Sequence, residues 1–156
     1  MINNSSIVKQ GKIGSLLISN IHNKDVNNNR NKLTNAKKEF VMQILYQHFL
    51  FKYTNNKIIN HLINSIKLEK FGPNYILYQD DSVGDKFFII KEGSLKEAFK
   101  NSSVIKIYHA GDTFGDLDLL ENRKRDGKMI TAENVTIFSL KGNLFRKIMQ
   151  KMNKEE

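Results

Sequence analysis

One short segment of the chain places acidic and basic side chains close together, directly after a glycine. The segment HAGDTFGDLDLLENRKRDGKMITAEN covers residues 109–134. In it, Asp116 and Asp118 follow Gly115, and a basic cluster ends at Arg125. Backbone N–H groups at the start of a helical turn bind anions, and a glycine lets an anion approach the backbone closely. This segment is therefore a candidate anion site.

Two side chains of the segment suit the two parts of a sugar phosphate. A guanidinium such as that of Arg125 donates two parallel hydrogen bonds, which matches the geometry of a phosphate. A carboxylate such as that of Asp116 is a poor phosphate ligand but a good acceptor for a sugar hydroxyl. The pattern predicts a sugar-phosphate site, although acidic helix caps and solvated Lys/Arg clusters give a similar pattern.

The other residue types exclude several kinds of chemistry. The chain has no cysteine, which excludes disulfides, thiolate metal sites and cysteine catalysis. The histidines lack metal-ligand spacing, so each is interpreted as a surface or packing residue. They are His22, His48, His61 and His109. A G-x-S-x-G nucleophile motif and a Walker phosphate loop are absent from the sequence. We expect no enzyme activity, no metal and no cofactor.

The composition is that of one domain with an anionic partner. The 156 residues, 40% of them hydrophobic, suffice for one core. The formal net charge of +9 favours anions, but it does not distinguish a nucleotide from a nucleic acid or a membrane surface. The longest apolar segments are too short to span a bilayer, and KIGSLLISNI is not followed by a cleavage site. We expect a cytoplasmic protein without a membrane partner.

Helices and strands predicted around the segment would position it. Residues 1–35 are rich in asparagine and predict a disordered or weakly ordered arm. Apolar residues at helical spacing predict two helices within residues 36–68, and NLFRKIMQKM predicts a closing helix at 143–153. Between them, short β-branched and aromatic runs predict a small antiparallel barrel over residues 69–142. The predicted fold class is α+β, a jelly-roll-like barrel flanked by helices, in a domain of residues 36–156.

Several segments, in order along the chain, resemble the cyclic nucleotide-binding domain of eukaryotic kinase regulators. These segments are ILYQHFLFKYTNNKIINHLINSIKLEKFG, KFFIIKEGSL, AGDTFGDLDLL with Arg125, and TIFSLKGNLFRKI. The first of them is similar to the helical leader in the regulatory subunits of cAMP-dependent protein kinase and in cGMP-dependent protein kinase. The resemblance covers about residues 36–152.

The resemblance implies a ligand, a partner and a set of site residues. The ligand would be cAMP or cGMP, and the partner a protein kinase catalytic subunit or domain. The phosphate-binding cassette would span residues 114–125, with the cyclic phosphate held by the backbone after Gly115 and by Arg125. Asp116, in place of the family's usual Glu, would accept the ribose 2′-hydroxyl. Carried over by position, the ligand-binding residues are Gly115, Asp116, Leu117, Asp118, Arg125 and Lys128.

Three acids depart from the family's pattern. Asp116 is one methylene shorter than Glu, Asp118 replaces a small residue, and Asp126 follows Arg125 and could pair with it. Two like charges ~5 Å apart repel by roughly 3 kcal/mol at an effective dielectric of about 20, which is about two decades in affinity. Lys128 could offset part of this charge. The alternative is a degenerate fold that binds no ligand and acts as a protein-interaction module.

The direction of Arg125 distinguishes these two hypotheses. It points either into the pocket beside Gly115 or away, in a salt bridge with Asp118 or Asp126. A third hypothesis, nucleic-acid binding, rests on the net charge and on bacterial transcription regulators with a similar barrel. Those regulators carry a helix-turn-helix after the barrel, for which KMNKEE leaves no room. We therefore expect no nucleic-acid partner.

Overall fold

The computed structural model of the chain describes residues 33–154. The predicted arm at residues 1–35 lies almost entirely outside this range. In chain order the helices are α1 (Asn35–Gln47), α2 (Asn56–Ser65), α3 (Asp116–Glu121) and α4 (Gly142–Met152). The strands are β1 (Lys67–Phe71), β2 (Ile76–Tyr78), β3 (Lys86–Glu92), β4 (Leu95–Phe99), β5 (Ile105–Tyr108), β6 (Thr113–Phe114), β7 (Gly127–Thr131) and β8 (Val135–Lys141).

Side-chain caps fix the starts of the first two helices. The Thr34 side chain accepts a hydrogen bond from the Lys37 backbone N–H at the start of α1. The Asn55 side chain accepts one from the Ile58 N–H at 3.0 Å at the start of α2. Both residues are of the types preferred at this position, because a short side-chain oxygen replaces a missing helical acceptor. Each of these helices buries one apolar face, as the periodicity predicts.

The strands form two four-stranded antiparallel sheets, in the orders β1-β8-β3-β6 and β2-β7-β4-β5. This arrangement confirms the predicted α+β, jelly-roll-like class. The barrel is corrected in one respect: within the described residues, the ladders do not join the two sheets into a closed cylinder. Two of the outermost strands, β2 with 3 residues and β6 with 2, are too short to carry a ladder across the gap.

Strand β1 begins at Lys67, inside the range 36–68 predicted as helical. It pairs antiparallel with β8 over five residue pairs, from Lys67 opposite Ser139 to Phe71 opposite Val135. The helical pattern therefore ends at Ser65, where α2 ends.

The central strand β3 separates two apolar clusters. Its side chains alternate between the two faces of the sheet, as in any strand. Phe87 and Ile89 pack in the cluster that contains the helices, whereas Phe88 and Ile90 pack in the cluster between the sheets. This explains why residues 87–90, FFII, are continuously apolar: both faces of β3 are buried there. The helices thus cover the outer face of the sheet whose edge, β6, leads into α3.

Candidate functional site

Gly115 makes the turn from β6 into α3. Its backbone is left-handed, with φ of 88°. A Cβ at this position would lie 2.4 Å from the Lys86 carbonyl oxygen and 3.1 Å from Nη1 of Arg125. Only glycine combines this backbone conformation with so close an approach. The turn therefore places the start of α3 directly against the guanidinium.

Arg125 is buried beside this turn, with 2% of its surface exposed. Its Nη1 donates to Oδ2 of Asp118 at 2.6 Å. The arginine therefore packs against the Gly115 turn and is ion-paired there with an acid of α3. Of the two directions that the sequence leaves open, the salt bridge with Asp118 is the one formed, and the side chain is buried in it rather than turned outward.

The remaining contacts of Arg125 orient its plane. Its guanidinium carbon lies 4.2 Å from the centroid of the Tyr78 ring, so the cation stacks on an aromatic face. Nη2 donates to the Lys86 carbonyl at 3.4 Å and lies 3.7 Å from a carboxylate oxygen of Asp85. Nε is buried and has no hydrogen-bond partner among the described residues. Part of the guanidinium's donor capacity is therefore unused.

Asp118 is held between two arginines. Its second carboxylate oxygen accepts from Nε of Arg123 at 3.1 Å, and 13% of its side chain is exposed. The close approach of Gly84 makes room for it, since a Cβ on Gly84 would lie 2.6 Å from Cβ of Asp118. The side chain that replaces a small residue in the family's pattern thus provides the anion bound to Arg125.

The predicted pairing of Asp126 with Arg125 is wrong. Asp126 pairs instead with Nη1 of Arg123 at 3.3 Å, and 63% of its side chain is exposed. The backbone explains this: Arg125 N–H donates to the Ser82 carbonyl, and the Asp81 N–H donates to the Arg125 carbonyl. This strand-like pairing turns the Arg125 side chain inward, so the next side chain along the chain points outward.

Asp116, the other acid of the turn, contacts a residue of the helical leader. One of its carboxylate oxygens lies 3.2 Å from Nε2 of His48, and both residues are buried. Burial acts to raise the pKa of the Asp116 carboxyl. The hydrogen bond and charge of His48, with the backbone N–H groups of Asp116 and Leu117, outweigh burial and hold that pKa below its ordinary value. The acid predicted to bind a ribose therefore connects the cassette to the leader.

His48 is a packing residue, as the sequence interpretation has it, and it also pairs with a site acid. Its ring stacks on Phe49, with centroids 4.7 Å apart, and meets the edge of Phe87 at 5.6 Å. Sequence offers no signal for the pairing with Asp116, because the two residues are far apart in the chain and neither belongs to a shared motif.

A cavity of about 230 Å³ lies beside the turn. Four of the predicted residues line one side of it: Gly115, Asp116, Leu117 and Asp118. Arg125 lies behind them against Gly115, so five of the six predicted residues are brought together. Lys128 is apart from this group, in β7 opposite Ala98 of β4. The next residue of β7, Met129, is fully buried, so Lys128 lies on the opposite face of the strand, and it does not line the cavity.

The wall of this cavity also contains a buried acid that sequence reasoning missed. Glu97, in β4, accepts hydrogen bonds from the hydroxyls of Tyr78 at 3.1 Å and Tyr108 at 2.8 Å. Burial, together with the charge and hydrogen bond of Glu97, raises the pKa of both phenols, so both remain donors at neutral pH. The alternation of β4 is the missed signal, since Glu97 lies on the same face as the buried Leu95.

No group of three or more His, Cys, Asp or Glu side chains among residues 33–154 could hold a metal ion. The helices in the same range lack the length and apolar character needed to cross a membrane.

Comparison with known proteins identifies the fold family. Residues 68–152, more than half of the chain, match the family described as Cyclic nucleotide-binding domain. The chain belongs to that family. The cyclic nucleotide-binding domain predicted from sequence is thus confirmed. The turn, α3 and Arg125 make up the segment that the resemblance predicts to be the phosphate-binding cassette.

Two curated relatives are kinase regulators or kinases. The chain is 26% identical over 119 residues to a cAMP-dependent protein kinase regulatory subunit of Candida albicans, covering 76% of this chain and 26% of that protein. It is 27% identical over 108 residues to a cGMP-dependent protein kinase of Plasmodium berghei, covering 69% of this chain and 12% of that protein. The chain thus spans about a quarter, or less, of the length of these relatives.

A solved structure has the same fold. The regulatory domain of Toxoplasma gondii PKA, in co-crystals with cAMP, superimposes with a TM-score of 0.71 at 24% identity. The match covers 80% of this chain and 49% of that one. At this identity the likeness supports the fold.

Proposed function

We propose that this chain is a cyclic nucleotide-binding regulatory module of a protein-kinase signalling system, with no catalytic role of its own. The nucleotide, cAMP or cGMP, places its phosphate against the cassette at residues 114–125. One observation carries the proposal: Arg125 is buried against the Gly115 turn, and its partner is an acid of the cassette itself. A buried guanidinium needs an anion, because leaving it unpaired costs several kcal/mol. Asp118 serves as that anion until a phosphate replaces it.

The cost of displacing the Asp118 carboxylate from Arg125 sets the affinity for the nucleotide. A phosphate at Arg125 must displace this carboxylate, and the displaced carboxylate then lies close to a second negative charge. Repulsion of roughly 3 kcal/mol at ~5 Å and an effective dielectric of about 20 lowers the affinity by about two decades. The native module therefore responds only to a high nucleotide concentration.

Asp116 provides a route from the site to the helices. The carboxylate that lines the cavity is the one that pairs with His48, between α1 and α2. A ribose hydroxyl bound to Asp116 competes with His48 for that carboxylate. Binding therefore loosens the leader from the cassette, and the leader helices shift relative to the sheets. The relatives' names favour a kinase catalytic subunit or domain as the cytoplasmic partner that reads this shift.

Isothermal titration of the native chain and of Asp118→Ala with cAMP and with cGMP tests the proposal. We expect the variant to bind about 100-fold more tightly than the native chain, because the competing charge is gone. Glu121→Ala is the matched control. It removes an acid of α3 that also contacts Arg123 but does not line the cavity, and we expect a change of about twofold or less. If neither the native chain nor Asp118→Ala gives heat at millimolar nucleotide while both remain folded, the proposed function is wrong.

The bond between Asp118 and Arg125 also favours the second candidate, a domain that binds no nucleotide and serves as a protein-interaction module. In that case the cassette is held in place permanently by its own charges. The two functions differ in one result: a protein-interaction module gives no heat of binding with any cyclic nucleotide but still binds a kinase catalytic subunit. Pull-down of such a subunit by the native chain, unchanged by added cAMP or cGMP, would favour the second function.

A further inference from the structure

The buried acid Glu97 lines the cavity beside the cassette, and the proposed function assigns no role to it. Tyr78 separates it from the phosphate end: the Tyr78 ring carries the guanidinium of Arg125 on its face, and its hydroxyl donates to Glu97. Glu97 and the turn at Gly115 line the same cavity, so a ligand whose phosphate lies at the turn can extend along the cavity wall to Glu97. In a cyclic nucleotide, the end away from the phosphate is the base.

The hydrogen bonds of Glu97 leave it with acceptor capacity. Each of its two oxygens accepts one hydrogen bond, from Tyr78 and from Tyr108. A carboxylate has about four lone-pair sites, so each oxygen can accept a further hydrogen bond. Both phenol protons are already donated to Glu97. Tyr78, Tyr108 and Glu97 together therefore offer hydrogen-bond acceptors to a ligand in the cavity. The cavity wall also contains Lys106, whose Nζ lies 4.6 Å from the Tyr108 ring centroid.

The two purine bases differ at the edge that would meet these acceptors. Guanine carries adjacent donors, N1–H and the 2-amino group, which together match the two oxygens of a carboxylate. Adenine has one amino group beside an unprotonated N1, whose lone pair is repelled by a carboxylate. We propose that Glu97 is a specificity-determining residue, and that it makes this cavity select cGMP over cAMP. This inference rests on the proposed function.

The size of the selectivity follows from the kind of hydrogen bond. A hydrogen bond to a charged group contributes about 1.5–3 kcal/mol, which corresponds to roughly 10- to 150-fold in affinity. A Glu97 that only ties Tyr78 to Tyr108 within the fold would give no preference between the bases. The preference for one base, and its dependence on Glu97, therefore separates recognition from a structural role.

The test uses the full chain with Asp118→Ala, in which the competing acid at Arg125 is removed. It is titrated with cGMP, cAMP and cyclic IMP, which keeps the N1–H of guanine but lacks the 2-amino group. We expect cGMP to bind at least about tenfold more tightly than cAMP, with cyclic IMP between them. Binding of cAMP that equals or exceeds that of cGMP overturns the proposal. This arm needs no change at Glu97, so it does not depend on how well a variant of that residue folds.

The second arm adds Glu97→Gln to Asp118→Ala. The amide keeps one acceptor oxygen for a tyrosine and replaces the other oxygen with a donor. We expect cGMP affinity to fall about tenfold or more and cAMP affinity to change little. Glu133→Gln is the matched control, because Glu133 pairs with Ser94 outside the cavity. A cGMP-to-cAMP ratio unaffected by Glu97→Gln overturns the proposal. If none of the three nucleotides binds Asp118→Ala, the proposed function itself fails, and this inference fails with it.

Discussion

The helix-covered face of the β1-β8-β3-β6 sheet and the cassette that follows β6 are neighbouring regions. Each of them is stabilised by a different kind of interaction. On the sheet face, fully buried aromatic side chains such as Phe51, Phe87 and Phe145 pack with centroids 5.6–6.2 Å apart. In the cassette, two acids are paired with a buried arginine and a buried histidine. Apolar packing has no competing partner in solution, whereas each ion pair can be exchanged for a charged or hydroxylated ligand. The cassette is thus the part that a ligand can rearrange.

The largest effect is expected in the apolar region. Phe87→Ala removes a fully buried ring that contacts both the leader and α4. We expect the free energy of unfolding to fall by about 3–5 kcal/mol, the usual cost of a truncated core aromatic residue. Urea unfolding followed by circular dichroism measures it. The loss should be the same in 50 mM and 500 mM salt, and a strongly salt-dependent loss would contradict the division into two regions.

In the cassette, Asp118→Ala should destabilise the ligand-free protein somewhat less. The substitution leaves the buried Arg125 without its main anion, which costs about 3 kcal/mol in comparable buried pairs. Asp81→Asn is the control, because it removes the charge that pairs with Lys100 at an exposed position, and Asn tolerates the left-handed backbone at residue 81 (φ 59°). It should leave the unfolding midpoint unchanged. Equal midpoints for the native chain and Asp118→Ala would show that Asp118 does not neutralise Arg125.

These two regions also differ in how far the sequence predicts them. The helix positions and most strands follow from local apolar periodicity, which records only which face of an element is buried. Strand β1 is missed because Lys67, Glu69 and Lys70 leave too few apolar residues to show alternation. Its strand state comes from pairing with β8, which no local pattern encodes.

In the cassette, sequence predicts which residues meet but not how their charges pair. The turn at Gly115 and the place of Arg125 follow from motif spacing. The partners of the charges come from separate segments: Tyr78 under Arg125 from β2, and His48 on Asp116 from the leader. Such long-range pairings depend on the packed sheets and are invisible in residue order.

The smallest effect is expected at the contact between the two regions, the pair of His48 and Asp116. His48→Gln removes the partner that holds the pKa of the Asp116 carboxyl below its ordinary value. A depressed pKa in the folded state stabilises the protein above the unfolded value of about 3.9, and this contribution is lost as the pH falls through the folded pKa. At pH 7 the variant should lose about 1–2 kcal/mol of unfolding free energy.

The pH dependence checks the cause of that loss. Between pH 5 and pH 3 the unfolding free energy of the native chain should fall more steeply than that of His48→Gln, when both are measured by urea titration. Parallel slopes would mean that His48 contributes only packing. Asp112→Asn, an exposed acid nearby that does not contact His48, should keep the native slope.

The most direct test of the central claim is the stabilisation of the folded chain by cyclic nucleotide. A ligand that binds only the folded state raises the unfolding free energy by RT ln(1 + [L]/Kd). If the Asp118 carboxylate occupies the place of the phosphate at Arg125, nucleotide well above both dissociation constants should stabilise Asp118→Ala by about 2.7 kcal/mol more than the native chain. Equal stabilisation of the two proteins would contradict the claim.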